Sequence, residues 1–290
     1  MPRATKKPNL TLKQLELKAN DVRQDIVKAL VRAKSGHSAG PLGMADIFTA
    51  LYFHILNVDP KRPEWANRDR LVLSNAHICP VLYATLAQRG FCSRETFISS
   101  LRKMGSPFQG HSNNHFGIGI ETCGGPLGQG LSQAVGMALA ARMDKAEWHT
   151  YAMLSDGELD EGQTWEAVML AGKEKLRNLT AFVDRNNIQI DGFTETIMPL
   201  EPLADKWRAF NWHVLEIDGH NMEEIIDAVG QAKAIYEKPT VIIAHTIPGK
   251  GVSFMERRFE WHGKPPNEDE AKIALHELRT LAGQIKSEHE

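Results

Sequence analysis

The sequence predicts an α/β fold, a mainly parallel sheet covered by helices on both faces, as one domain over residues 1–290. Three observations predict it. Short apolar runs such as Leu71-Val72-Leu73 alternate with longer stretches of helical periodicity. The composition, 42% hydrophobic and 24% charged over 290 residues, is ordinary for a globular chain and suffices for one large core or two modest ones. No internal repeat, low-complexity tract or obvious linker divides the chain.

The elements follow in order. Leu15, Ala19, Val22, Ile26, Ala29, Leu30 and Ala33 recur at three- and four-residue steps, marking an amphipathic helix that ends near Ser35-Gly36. A loop of small residues over 38–43 precedes a helix over 44–56. Polar residues 59–69 lead to the strand at 71–73, and helices are expected over 81–88 and 94–104. From 105 to 130 glycine, histidine and asparagine crowd together and the periodicity lapses, as in a long active loop that ends at a helix N-terminus. Regularity then returns: helix 131–143, strand 151–154, helix 164–175 and strand 180–183. After an irregular excursion come strand 214–217, helix 223–236 and strand 241–244. Residues 268–290 read as a closing helix with a charged tail, and residues 1–10 as a flexible basic arm.

Charge and cysteine usage narrow the function class. Lys and Arg total 34 against 36 acids, a formal net charge of -2, so neither nucleic acid nor an anionic membrane is an expected partner. Nowhere do about eighteen apolar residues run together, so no transmembrane helix is expected. No apolar signal core follows the basic start. Cys79, Cys92 and Cys123 are odd in number and lack metal-ligand spacing. A soluble cytoplasmic protein is the expectation.

The sharpest chemical feature is Ser155-Asp156-Gly157 followed by Asn186-Asn187. Asp156 comes just after a strand, where open parallel sheets place ligands. The thirty positions from Asp156 to Asn186 fit a turn, a helix and a returning parallel strand. Both side chains should therefore emerge at one sheet edge. A carboxylate, an amide oxygen and a backbone carbonyl are hard donors that suit Mg²⁺, and Gly157 lets a diphosphate approach the backbone. Taken alone, Asp-Gly after a strand and Asn-Asn are each ordinary turn sequences; their order and spacing together give the pattern its force.

The segment from Ser155-Asp156-Gly157 to Asn186-Asn187-Ile188-Gln189-Ile190-Asp191-Gly192 resembles the thiamine-diphosphate fingerprint of transketolases. Flanking motifs agree in family order: Lys34-Ser35-Gly36-His37, Leu42-Gly43-Met44-Ala45-Asp46-Ile47, Leu73-Ser74-Asn75-Ala76-His77, Gly125-Pro126-Leu127-Gly128-Gln129-Gly130 and Trp261-His262-Gly263-Lys264-Pro265. The resemblance implies the thiamine-diphosphate-binding fold. It also implies Mg²⁺, with Ca²⁺ or Mn²⁺ able to substitute, held by Asp156, Asn186 and the Ile188 carbonyl. His77, Gly125, Pro126, Leu127, Gly157, Glu158 and His262 join the cofactor-binding set. His37, His111 and His262 are implied to line a sugar channel, and Glu161 to enter a carboxylate network at a subunit interface. Read without the resemblance, the run Glu158, Asp160, Glu161 is an acidic first helical turn favoured by the dipole. His213 and His220 read as structural, and Cys79 and Cys123 as packing residues. One departure stands out: Ser155 occupies a position that is usually glycine. If positive φ is needed there, serine costs about 1 kcal/mol.

Transketolase chemistry further implies a second, pyrimidine-binding domain that supplies an activating glutamate, and residues after His262 are too few for one. The expectation is a separately encoded carboxy-terminal partner subunit, a heterotetramer of two copies of each chain, and sugar phosphates as substrates. Alternatives are a subunit like deoxyxylulose-phosphate synthase, one like the α chain of a 2-oxo-acid dehydrogenase, or a non-catalytic regulatory protein that keeps the fold.

Overall fold

Residues 7–280 are described by a computed structural model. Among them the strands are β1 (Arg70–Leu73), β2 (Thr150–Ser155), β3 (Leu179–Arg185), β4 (Ile188–Gln189), β5 (Gly192–Phe193), β6 (His213–Asp218) and β7 (Thr240–His245). Five make one sheet in the order β1-β2-β3-β7-β6 with every pairing parallel, while β4 and β5 form a small antiparallel hairpin. Side chains alternate between faces along a strand. Tyr151, Met153, Phe182 and Ile242 therefore enter one buried cluster, and Ala152, Leu154, Ala181, Val183, Val241 and Ile243 the other. Both faces are covered, which is why the strands read as unbroken apolar runs.

The covering helices are α1 (Leu12–Ala33), α2 (Ala39–Gly43), α3 (Ala45–Ala50), α4 (Cys79–Arg89), α5 (Arg94–Ser100), α6 (Gln129–Met143), α7 (Gly162–Lys173), α8 (Thr194–Ile197), α9 (Leu203–Ala209), α10 (Met222–Ala234) and α11 (Glu268–Thr280). Residues of α1 to α5, α10 and α11 fill the first cluster; those of α6, α7 and α9 fill the second. α1 starts on a capping box. Gln14 N donates to Thr11 Oγ1 at 3.3 Å, and Thr11 N to Gln14 Oε1 at 2.9 Å. Lys34, in the left-handed conformation, ends it.

Where the structure departs from expectation, short elements are the reason. The 38–43 loop contains the helical turn α2, and the 44–56 helix divides into α3 and a π-helical turn, Leu51–Ile55. α5 stops at Ser100 because Arg102 takes φ 58°, and its N–H turns back to Phe108 O at 2.7 Å. The irregular excursion holds β4, β5, α8 and α9, each too brief to display a period. Within the expected arm, Lys7 Nζ donates to Ile55 O at 2.6 Å and Leu10 packs against the first cluster. Residues 1–6 of the arm and the tail over 281–290 lie outside the described residues. No helix among the described residues is long and apolar enough to cross a membrane.

Candidate active site

The edge at the C-terminal ends of the strands is built from the β2–β3 pair. Ser155 is in register with Asp184, so Asp156 and Asn186, the residues just beyond the two strands, meet there as the spacing requires. Asp156 is fully buried. Its Oδ1 accepts from Gly157 N at 2.8 Å, and its Oδ2 from Asn187 N at 2.6 Å and Arg185 Nη1 at 3.2 Å. Asn187 turns the chain at φ 64°, a left-handed conformation asparagine tolerates. Asn186 Oδ1 accepts from Ile188 N at 3.0 Å, and its Nδ2 donates to Asp184 Oδ2 at 2.8 Å. Burial pushes the Asp156 carboxyl up to about 6 despite Arg185 and the two N–H donors, and burial likewise pushes Asp184 up to about 7.

Among the described residues no group of three His, Cys, Asp or Glu side chains is arranged to hold a metal. The oxygen set at this edge is of another kind: the buried Asp156 carboxylate and the Asn186 amide oxygen at the ends of neighbouring strands. That donor chemistry fits a hard divalent cation. Ser155 closes β2 and is not among the residues with positive φ, so serine carries no backbone strain there.

Glu158 lies just behind this edge, fully buried. It accepts from Gly128 N at 2.6 Å, from Ser155 N at 3.2 Å and from Ser74 Oγ, while Gly130 N donates to Ser74 Oγ at 3.0 Å. All three donors are protein groups, so Glu158 fastens the ends of β1 and β2 to the start of α6. Burial pushes its carboxyl up to about 7. Gly125 has φ 145° and Gly128 φ 80°, conformations that favour glycine, and between them Leu127 O accepts from Gln163 Nε2 at 3.1 Å. Pro126 is exposed. Glu161 is the exposed N-cap of α7 and makes no side-chain cap; its Cβ takes the space a Gly128 side chain would need.

Three loops bring three imidazoles together. The His37 and His77 ring centres are 5.0 Å apart, His77 and His262 5.0 Å, and His37 and His262 5.5 Å. Burial, reinforced by the charges of His262, Arg102 and His111, lowers His37 to about 4. Burial likewise holds His77 well below its ordinary range and lowers His262. The group is neutral at pH 7 and can both donate and accept hydrogen bonds. His37 Nδ1 and both amide atoms of Asn75 are among the buried polar atoms without a partner in the described residues, and are free to bond a polar ligand. His111 is exposed, with its ring beside Gly125 and its carbonyl accepting from Tyr83 OH at 3.1 Å.

Sequence reasoning missed Arg102 and Arg185. Arg102 Nη1 donates to Ser35 Oγ at 2.9 Å and Nη2 to Gly110 O at 3.3 Å, tying the His37 loop to the His111 loop. An arginine near a helix end ordinarily reads as a dipole partner, so no local signal marks it. His220 is structural, as expected. Its Nδ1 meets Asp46 Oδ2 at 2.8 Å, and its Nε2 accepts from Ile247 N at 2.8 Å.

The profile of the family described as "Transketolase, thiamine diphosphate binding domain" matches residues 15–282. The chain belongs to the transketolase family. It is similar to the 6-deoxy-6-sulfo-D-fructose transketolase subunit SqwG of Clostridium sp. (strain MSTE9), 46% identical over 264 residues, which cover 91% of this chain and 96% of that subunit. It is also similar to an apulose-4-phosphate transketolase subunit of Phocaeicola vulgatus, 41% identical over 280 residues, covering 97% and 99%. The crystal structure of Campylobacter jejuni transketolase superposes with a TM-score of 0.85 at 36% identity, over 92% of this chain and 43% of that one. The α/β architecture is thus the thiamine-diphosphate-binding fold of transketolases.

Proposed function

We propose that this chain is the amino-terminal, diphosphate-binding subunit of a two-subunit transketolase, which moves a two-carbon ketol unit from a ketose to an aldose. The observation that carries the proposal is that the ends of neighbouring strands gather two chemistries, the Asp156 and Asn186 oxygens after β2 and β3 and, after β1, His77 clustered with neutral His37 and His262. Asp156, Asn186 and the Ile188 carbonyl hold Mg²⁺, and His77, Gly125-Pro126-Leu127 and Gly157 bind the cofactor, with Glu158 fixing that loop from behind. When bound, thiamine diphosphate supplies the means of cleaving and re-forming the carbon–carbon bond. His37, His111 and His262 orient the sugar hydroxyls and exchange protons with them, which neutral imidazoles can do near pH 7. Glu161 joins the interface network. Ser155, in the usual glycine position, is free of positive φ and so adds no backbone strain to the site.

Two observations support a partner. Both of these relatives, matched over nearly their whole length, are named as subunits. Ile190, Phe193, Ile197 and Met198 stand 44 to 63% exposed beside the oxygen donors, an apolar edge suited to burial under another chain. The assembly on this proposal has two copies of each subunit. The two relatives are named for ketoses that carry a sulfonate or a phosphate, which supports an anionic ketose as donor. Three free cysteines suit a reducing compartment, here the cytoplasm. Mixing the chain with its separately encoded pyrimidine-binding subunit, thiamine diphosphate and Mg²⁺ tests the proposal. Transfer from a ketose phosphate to an aldose phosphate should require both subunits. Robust transfer by this chain alone, or none by the complete mixture, would overturn it.

A further inference from the structure

Arg185 ends β3 one residue before Asn186 and is only 3% exposed despite its charge. Its guanidinium makes four hydrogen bonds. Nη1 donates to Asp156 Oδ2 at 3.2 Å and Thr194 Oγ1 at 2.9 Å; Nη2 donates to Glu195 Oε1 at 2.7 Å and Glu201 Oε1 at 2.9 Å. Asp156 belongs to the end of β2, Thr194 and Glu195 open α8, and Glu201 precedes α9. A single side chain thus grips the buried carboxylate and two points of the 186–201 segment.

The middle of that segment has little else to hold it. It contains a hairpin of two residues per strand and a four-residue helix, too small to be stable alone. Ile190, Phe193, Ile197 and Met198 are largely exposed. Its start is tied by Asn186 Nδ2 to Asp184 Oδ2 at 2.8 Å, Asn187 N to Asp156 Oδ2 at 2.6 Å and Ile188 in the first cluster. Its end is tied by Lys206 Nζ to Leu200 O at 2.6 Å and Leu200 in the second cluster. Between them, besides Arg185, stand the Phe193 ring 5.8 Å from Phe259 and Gln189 Nε2 at 3.5 Å from Asp160 Oδ2.

We propose that Arg185 is a positioning residue that holds the 186–201 segment closed before any ligand arrives, carrying the Asn186 and Ile188 donors into place beside Asp156. The planar guanidinium can reach four acceptors on separate segments at once; an ammonium group cannot span them. One guanidinium set among three carboxylates leaves the edge anionic, so the attraction for a divalent cation survives the clamp. A segment already ordered need not be ordered on binding, which favours fast, tight capture. The donor roles, the cation and this last consequence rest on the cofactor proposal; the clamp itself does not.

Hydrogen exchange on the full chain, without thiamine diphosphate or metal, tests the clamp. Arg185→Lys and the double variant Glu195→Gln/Glu201→Gln are compared with wild type. The double variant spares the buried Arg185–Asp156 pair and changes side chains 40% and 57% exposed, so it should fold even if Arg185→Lys does not. Amides of 186–201 should exchange at least tenfold faster in the double variant, with β2, β3 and β7 protected as before. Saturating thiamine diphosphate with Mg²⁺ should restore the protection, and its association rate should fall more than its dissociation rate changes. Wild-type exchange over 186–201 in the double variant, or a uniform rise over the whole sheet, would overturn the clamp. If wild type binds no thiamine diphosphate, the cofactor proposal falls, while the exchange comparison still decides the role of Arg185.

Discussion

Single side chains govern how this edge responds to pH. His37 takes up a proton near 6.5 in the unfolded chain but only at about 4 when folded, because burial penalises its charge. Its contribution to stability is complete above pH 6.5 and is lost as pH falls toward 4. Asp156, Glu158 and Asp184 act oppositely: burial raises them to about 6, 7 and 7, so they favour the folded state at low pH and lose that contribution as pH rises through those values. The two sets partly offset each other, so a difference between variants is the cleaner readout. Between pH 6.5 and 4 the urea midpoint of His37→Phe should fall less than that of wild type. In the reconstituted enzyme, His37→Ala and His262→Ala should lower turnover about 10² to 10⁴-fold, more than they lower cofactor affinity. Near-normal turnover in both would make these histidines structural. Asp156, Asn186 and the histidines were legible in the sequence because each belongs to a local motif. Arg185 was not, since its partners Asp156 and Glu201 lie 29 and 16 positions away and only the fold unites them.

At the scale of elements, α6 sets how closely the glycine loop approaches the sheet. A Cβ on Gly130 would overlap the side chain and backbone of Ser74, whereas Gly136, in the same helix, has nothing within 4 Å. Gly130→Ala should therefore destabilise the chain by about 1–3 kcal/mol through overpacking. Gly136→Ala should be neutral or stabilise by up to about 1 kcal/mol through helix propensity. Urea unfolding of the two variants checks the contrast; equal midpoints would mean that the Ser74 contact does not constrain the loop. Long elements such as α1, α6 and α10 could be anticipated because several turns of periodicity accumulate. α2, α8 and the β4–β5 hairpin could not, since tertiary contacts rather than local pattern hold them.

Across the whole molecule, the parallel order β1-β2-β3-β7-β6 places the ends of β1, β2 and β3 along one edge. The strand runs and the helices between them made that layering readable. The order of β6 and β7 was not, because a crossover leaves no trace in hydropathy. The oxygen donors, the glycine loop and the histidines therefore come from six separate stretches of chain, yet their shared edge follows from topology. The most direct test of the central proposal is titration calorimetry of thiamine diphosphate into the assembled protein. It is run with Mg²⁺, after chelation of the metal, and with Asp156→Ala. Affinity should fall at least tenfold, about 1.4 kcal/mol, in each of the latter two cases. Undiminished binding in both would contradict a metal-assisted diphosphate site at Asp156.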